Sequence, residues 1–67
     1  MNIILNQQST QIPDHCSLQQ LLTQVINVPI EGLAVAVDET VIPQTDWPRH
    51  LLQPNDKVIL IRATQGG

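Results

Sequence analysis

The sequence "SLQQLLTQVI", residues 17–26, carries the clearest secondary-structure signal of the chain, a helical pattern of apolar residues. Its apolar positions recur at i, i+3, i+4, i+7 and i+8, which is one stripe of a helix: Leu18, Leu21, Leu22, Val25 and Ile26. Ser17 and Gln20 have the spacing of a capping box, and Pro29 follows shortly after the last apolar residue. The stretch therefore predicts one amphipathic helix with a single face turned toward a core.

Short apolar runs on both sides of this helix are typical of β-strands. In chain order the predicted strands are "NIILN" (2–6), "STQI" (9–12), "LAVAV" (33–37), "TVI" (40–42) and "KVILIRA" (57–63). The first two are predicted to form a hairpin, and the polar connector "QTDWPRH" (44–50) to hold a single helical turn. The last run is apolar on both faces, which favours a central strand. The predicted order is β-β-α-β-β-β.

Side-chain alternation along the first and last strands predicts a covered face and an open face of the sheet. The covered face is expected to carry Ile3, Leu5, Val58 and Leu60. One helix covers only one face, so Ile4, Ile59 and Ile61 are expected on the open face. An exposed apolar cluster marks a protein-docking surface. We therefore predict that these three residues, with Arg62 beside them, bind a partner protein.

Composition limits the kind of protein this can be. The chain has 67 residues, 42% of them hydrophobic, with no Tyr or Phe, so it predicts one small domain with an aliphatic core. The formal net charge is −3, and neither a basic patch nor stacking aromatics are present, which argues against nucleic-acid binding. No apolar run approaches the ~20 residues of a membrane span. With one cysteine and no signal-peptide pattern, the sequence predicts a reduced, cytoplasmic protein.

Four single side chains have both a structural and a functional interpretation. Cys16 is either a packing residue at the helix start or a persulfide relay, and packing is the more common role. His15 and His50 have no third ligand at a sensible spacing, so no metal site is predicted. Trp47 either caps the aliphatic core or touches a partner, with the core favoured.

The chain finishes on "RATQGG", residues 62–67. Glycines add no side-chain width and reach backbone angles closed to other residues, so this end suits insertion into a narrow channel. We predict a folded domain over residues 1–62 and a flexible tail over residues 63–67, with Gln65 and Gly66 leading to the terminal Gly67. Gly32 is the only other glycine, so the sequence contains no phosphate-cradling loop.

These elements together resemble the β-grasp, or ubiquitin-like, fold: an α+β domain with a mixed sheet of about five strands and one helix packed on one face. Within that fold the chain resembles the ThiS family of thiamin-biosynthesis sulfur carriers. The resemblance rests on the short length and on "AVAVDETVIP", "VIPQTDWPRHLLQPND", "QPNDKVILI" and the final "GG". The small subunit of molybdopterin synthase is a related alternative, but it typically carries aromatics before its tail, where this chain has "RATQ". A non-reacting ubiquitin-like module and a modifier ligated to lysine are further alternatives.

The resemblance implies that the α-carboxylate of Gly67 is the reacting group. In the family a partner enzyme joins this carboxylate to AMP from ATP, a persulfide sulfur converts it to a thiocarboxylate, and the sulfur passes to the thiazole ring. The chain is thus expected to be a carrier rather than an enzyme and to bind no cofactor itself. The implied partners are an adenylyltransferase resembling ubiquitin-activating enzymes (ThiF-like), a thiazole synthase (ThiG-like) and a sulfur donor such as a cysteine desulfurase.

Overall fold

The computed structural model describes residues 1–62, and the predicted tail, residues 63–67, lies outside the described part. The strands are β1 (Asn2–Leu5), β2 (Gln8–Gln11), β3 (Leu33–Val37), β4 (Thr40–Val41) and β5 (Lys57–Arg62). They form one sheet in the order β2-β1-β5-β3-β4, in which β1 and β5 are parallel and the other neighbours antiparallel. The predicted element order, the mixed β-grasp sheet and the central position of the last strand are confirmed.

Both hairpins close with two-residue turns that contain no glycine. Asn6 and Gln7 link β1 to β2 with φ of 47° and 69°, and Asp38 and Glu39 link β3 to β4 with φ of 49° and 69°. Positive φ at both central residues is the turn geometry that matches the twist of paired strands. The first turn leaves Leu5 opposite Gln8, so β2 begins one residue earlier than the sequence predicted.

The helix begins with the predicted capping box. The backbone N–H of Gln20 donates to Ser17 Oγ (3.0 Å), and the Ser17 N–H donates to Gln20 Oε1 (2.9 Å). An α-helical turn, α1 (Leu18–Gln20), then continues as a π-helical segment over Leu21–Val25.

The π-helical segment changes which side chains face the core. Leu18, Leu21 and Leu22 are fully buried as predicted, but Val25 is 37% exposed, so its placement in the buried stripe was wrong. Each turn of a π-helix holds more residues than an α-turn. The i, i+4 spacing therefore no longer returns to the same face, and Val25 turns toward solvent.

The connector between β4 and β5 packs on the start of the helix. It contains a 3₁₀ turn at Gln44–Asp46, which confirms the predicted helical turn. The free N–H groups of the first helical turn find acceptors here: Leu18 N–H donates to the His50 carbonyl (2.8 Å) and Gln19 N–H to the Trp47 carbonyl (3.1 Å). Trp47 is 1% exposed, and its Nε1–H donates to the Ile42 carbonyl (2.9 Å), so Trp47 caps the core.

The core lies between the helix and one face of the sheet. It consists of aliphatic side chains with one cysteine and one tryptophan: Ile3, Ile12, Cys16, Leu18, Leu21, Leu22, Val35, Val37, Trp47, Leu52 and Val58. Within residues 1–62, no helix combines the length and apolar character that crossing a bilayer requires.

Candidate functional site

Two features of the described residues bear on function: the open face of the sheet and the end of β5. β5 is the middle strand, with β1 on one side and β3 on the other, and its last residue is Arg62. The chain after Arg62 is therefore attached to the centre of the sheet rather than to an edge. The predicted reacting and tail residues, Gly67, Gly66 and Gln65, lie outside the described part.

The open face carries a contiguous apolar cluster, which follows from the strand register. Ile59 of β5 is opposite Ala36 of β3, and Ala36 is in turn opposite Val41 of β4. One step along, Ile61 is opposite Ala34. We call the cluster the open-face patch; its members are Ile4, Ala34, Ala36, Val41, Ile59 and Ile61.

The exposures of the patch agree with the predicted alternation. Ile59 is 42% and Ile61 is 58% exposed, while their strand neighbour Val58 is fully buried. Ile4 is half-buried, so it contributes less surface than the two isoleucines of β5. The prediction that one helix leaves the second face of the sheet open is thus confirmed in the geometry, while partner binding by that face stays a prediction.

Sequence reasoning missed the contribution of β3 and β4 to this patch. Val41 is 69% exposed, the largest value among the exposed large apolar side chains of residues 1–62. A signal was present in "LAVAV", where bulky residues alternate with alanines. The bulky positions face the core and the alanines face outward, so Ala34 and Ala36 form a flat floor between Val41 and the isoleucines of β5.

A shallow depression of about 370 Å³ lies at one end of the patch. It is lined by Ile4, Gln7, Lys57, Val58 and Ile59, beside the turn between β1 and β2. Lys57 shares the open face with Ile59 because the two are two residues apart on one strand. The lining combines apolar surface with an amine at the rim, which suits the side chain of a docked protein.

Arg62 does not belong to the open-face patch. Alternation along β5 places it on the side of Val58 and Leu60, which is the side that the helix covers. Its guanidinium donates from Nη1 to the Glu31 carbonyl (3.0 Å) and from Nη2 to the Pro29 carbonyl (2.8 Å). The structure therefore separates Arg62 from the three isoleucines with which the sequence grouped it.

The remaining candidates do not form a reactive site among the described residues. Cys16 is 3% exposed, and burial raises the pKa of its thiol, which disfavours the reactive thiolate that a persulfide relay needs. His15 is exposed, and His50 is half-buried on the connector. Across residues 1–62, no group of three or more His, Cys, Asp or Glu side chains is arranged to hold a metal ion.

Comparison with known proteins agrees with this architecture. The family model described as the ThiS family matches residues 3–67, nearly the whole chain. The chain belongs to the ThiS family. The matched region includes the final Gly66 and Gly67, so the family resemblance extends through the tail.

Individual ThiS relatives are similar over their full lengths. The sulfur carrier protein ThiS of Escherichia coli (strain K12) is 28% identical over 67 residues, which cover 100% of both chains. The crystal structure of the thiamine biosynthesis protein ThiS from Geobacter metallireducens superposes with a TM-score of 0.86 at 17% identity, again over 100% of both chains. The structural likeness supports the β-grasp fold, and the family match confirms the predicted membership.

Proposed function

We propose that this chain is a sulfur carrier of thiamin biosynthesis whose reacting group is the α-carboxylate of Gly67. The observation that carries the proposal is the match to the ThiS family, which extends through the terminal Gly66 and Gly67. The described fold agrees with it, because the strand that leads to these glycines lies at the centre of the sheet. The name of the E. coli relative, a sulfur carrier protein, supports the same role.

The chemistry begins with activation, because a carboxylate is a poor acylating group. Its negative charge repels nucleophiles, and an oxide ion is a poor leaving group. A partner adenylyltransferase supplies ATP: a Gly67 carboxylate oxygen attacks the α-phosphate, an acyl-adenylate forms and pyrophosphate leaves. The nucleotide binds to the partner, and the carrier contributes the carboxylate and the chain that delivers it.

Sulfur is transferred to the Gly67 acyl group in two steps. A donor persulfide, such as one carried by a cysteine desulfurase, attacks the acyl carbon, AMP leaves, and an acyl disulfide forms. A second thiol then cleaves the sulfur–sulfur bond, which leaves the Gly67 thiocarboxylate and a new disulfide between the donor and that thiol. The thiocarboxylate sulfur later adds to an electrophilic carbon of the thiazole precursor on a thiazole synthase, and hydrolysis restores the carboxylate.

Delivery of the carboxylate involves two parts of the molecule: the open-face patch, which docks on the partner, and residues 63–67, which carry Gly67 to the partner's active site. Five residues follow Arg62, and fully extended they span at most about 17 Å. The open-face patch supplies apolar contact on the same strand that leads to the tail. A partner that docks there can receive Gly67 in a site about one tail length away. The slim Gly66 and Gly67 suit a narrow channel.

The proposal is tested by moving the carboxylate along the chain by one residue. Deleting Gly67, or adding one alanine after it, displaces the carboxylate by ~3.4 Å. Because a misplacement of about 1 Å can cost roughly a hundredfold in rate, both variants should abolish adenylation, measured as pyrophosphate release with the cognate activating enzyme and ATP. Thr64→Ser keeps the tail length and serves as the matched control.

Stability separates a positional effect from misfolding. Thermal unfolding of both length variants should match the wild type, since neither variant changes a residue of the core described within residues 1–62. Wild-type rates of pyrophosphate release from both length variants would show that the Gly67 carboxylate is not the reacting group.

A further inference from the structure

The guanidinium of Arg62 ties the end of the central strand to the loop that joins the helix to β3. Its two hydrogen bonds, 3.0 Å to the Glu31 carbonyl and 2.8 Å to the Pro29 carbonyl, reach backbone atoms two residues apart. Arginine suits this task because its planar fork presents N–H donors in fixed directions. The bridge spans more than thirty residues of sequence, so it is a tertiary contact and not a local turn.

The loop that accepts these bonds is itself anchored to the fold. Ile30 packs against the core, and the Leu33 N–H donates to the Ile30 carbonyl (3.1 Å). Gly32, with φ of 70°, takes a left-handed conformation that turns the loop into β3. The acceptors of Arg62 are thus held on a supported loop.

The backbone of Arg62 is fixed as well as its side chain. Arg62 is paired with Leu33 in the antiparallel ladder between β5 and β3. On its other side β1 ends its pairing at Val58, so the last residues of β5 extend past β1. Strand ends with one neighbour fray more readily than strand centres. The guanidinium bridge counteracts fraying at the residue from which the tail begins.

We propose that Arg62 is a positioning residue for the sulfur-carrier chemistry, because its bridge to the Pro29 and Glu31 carbonyls fixes the origin of the tail. This inference rests on the proposed function. Without the bridge, Ile61 and Arg62 can fray from β3, and each residue that gains conformational freedom multiplies the conformations in which Gly67 misses the activated phosphate. The bridge acts through chain placement, not through contact with the reacting atoms.

A role in positioning differs measurably from a role in docking. If Arg62 contacts the partner directly, its loss raises KM for the carrier. If it positions the tail, docking through the open-face patch is unchanged and the loss appears in kcat. The test is pyrophosphate release with the cognate activating enzyme and ATP, at varied concentrations of full-length carrier.

Three variants separate geometry from charge. Arg62→Met removes the bridge, and Arg62→Lys keeps the charge but offers a point donor that cannot reproduce the planar fork. Arg49→Met is the matched control, since Arg49 is also an exposed arginine and pairs with Asp46 on the connector (3.1 Å). We expect kcat to fall at least about tenfold for Arg62→Met with KM within about twofold, a partial recovery for Arg62→Lys, and no change for Arg49→Met.

A second measurement needs no partner enzyme. In ¹⁵N relaxation, the Ile61 and Arg62 amides of the wild type should be as ordered as those of Val58 and Ile59, and Arg62→Met should loosen the first pair alone. An unchanged kcat, a loss confined to KM, or unchanged relaxation in Arg62→Met would overturn the positioning role. If the wild type itself releases no pyrophosphate, the proposed function fails, and the relaxation data alone decide whether Arg62 fixes the strand end.

Discussion

Adjacent residues of β5 should respond in opposite ways to the same substitution. Val58 is fully buried and Ile59 is 42% exposed. Val58→Asp forfeits about 1.5–3 kcal/mol of apolar burial and buries a carboxylate at a further cost of several kcal/mol. A core in a domain of this size rarely supplies more than about 3–5 kcal/mol. Val58→Asp should therefore unfold the protein.

Ile59→Asp should leave the fold standing and remove partner affinity. Its side chain already meets water, so the loss of burial is about 1–2 kcal/mol and the new carboxylate stays solvated. A docked partner must strip water from that carboxylate. We expect Ile59 to be a hot spot of the docking surface, and loss of a hot-spot side chain costs at least about 2 kcal/mol, or roughly 30-fold in affinity. Ile59→Val keeps the apolar surface and is the control.

Two assays report on this pair of substitutions. Urea unfolding can be followed by the fluorescence of Trp47, which is the only tryptophan and is 1% exposed in the folded protein. Calorimetry against the cognate activating enzyme gives the affinity. If Ile59→Asp unfolds as Val58→Asp does, the open face is part of a core. If Ile59→Asp binds as tightly as the wild type, the open-face patch is not the docking surface.

Further predictions concern the helix and the buried thiol. Leu21→Ala should lower the free energy of unfolding by about 2–5 kcal/mol because Leu21 is fully buried. Val25→Ala should lower it by about 1 kcal/mol because Val25 is 37% exposed. Equal losses for the two variants in urea unfolding would contradict the finding that the π-helical segment turns Val25 toward solvent. Burial raises the pKa of the Cys16 thiol, so the unfolded chain loses this proton first. The buried thiol should therefore contribute fully to the free energy of unfolding below the unfolded pKa of about 8.5, and this contribution should fall as the pH rises above that value. Cys16→Ala should remove this pH dependence. An identical pH dependence in that variant would refute the assignment to Cys16.

The local sequence predicted the features that depend on spacing alone. The capping box of Ser17 and Gln20 follows from their spacing, and the exposure of Ile59 and Ile61 follows from alternation along the strand. The central position of β5 follows from a run that is apolar on both faces. Trp47 caps the core, as predicted, because the side chain of a lone aromatic residue fills more core volume than any aliphatic neighbour.

Other features depend on partners distant in sequence and were not visible. The π-helical segment that exposes Val25 has no residue signature of its own. Val41 joins the open-face patch only through the register of β4 on β3. The hydrogen bonds of Arg62 were equally invisible, because its two acceptor carbonyls lie about thirty residues away in the sequence. Its face of the sheet, in contrast, follows from the alternation along β5 and could have been predicted.

The most direct test of the sulfur-carrier role is the mass of the C-terminal peptide from protein isolated from its own cells, grown without thiamin. Trypsin cleaves after Arg62 and releases residues 63–67, "ATQGG". This peptide lacks Met, Cys and Trp, so oxidation of those side chains cannot imitate the exchange of one oxygen for sulfur. We expect a fraction of this peptide to be heavier by the sulfur-for-oxygen difference, and we expect that fraction to be absent from protein lacking Gly67. A peptide that is always unmodified, or that is found joined to a lysine of another protein, would contradict it.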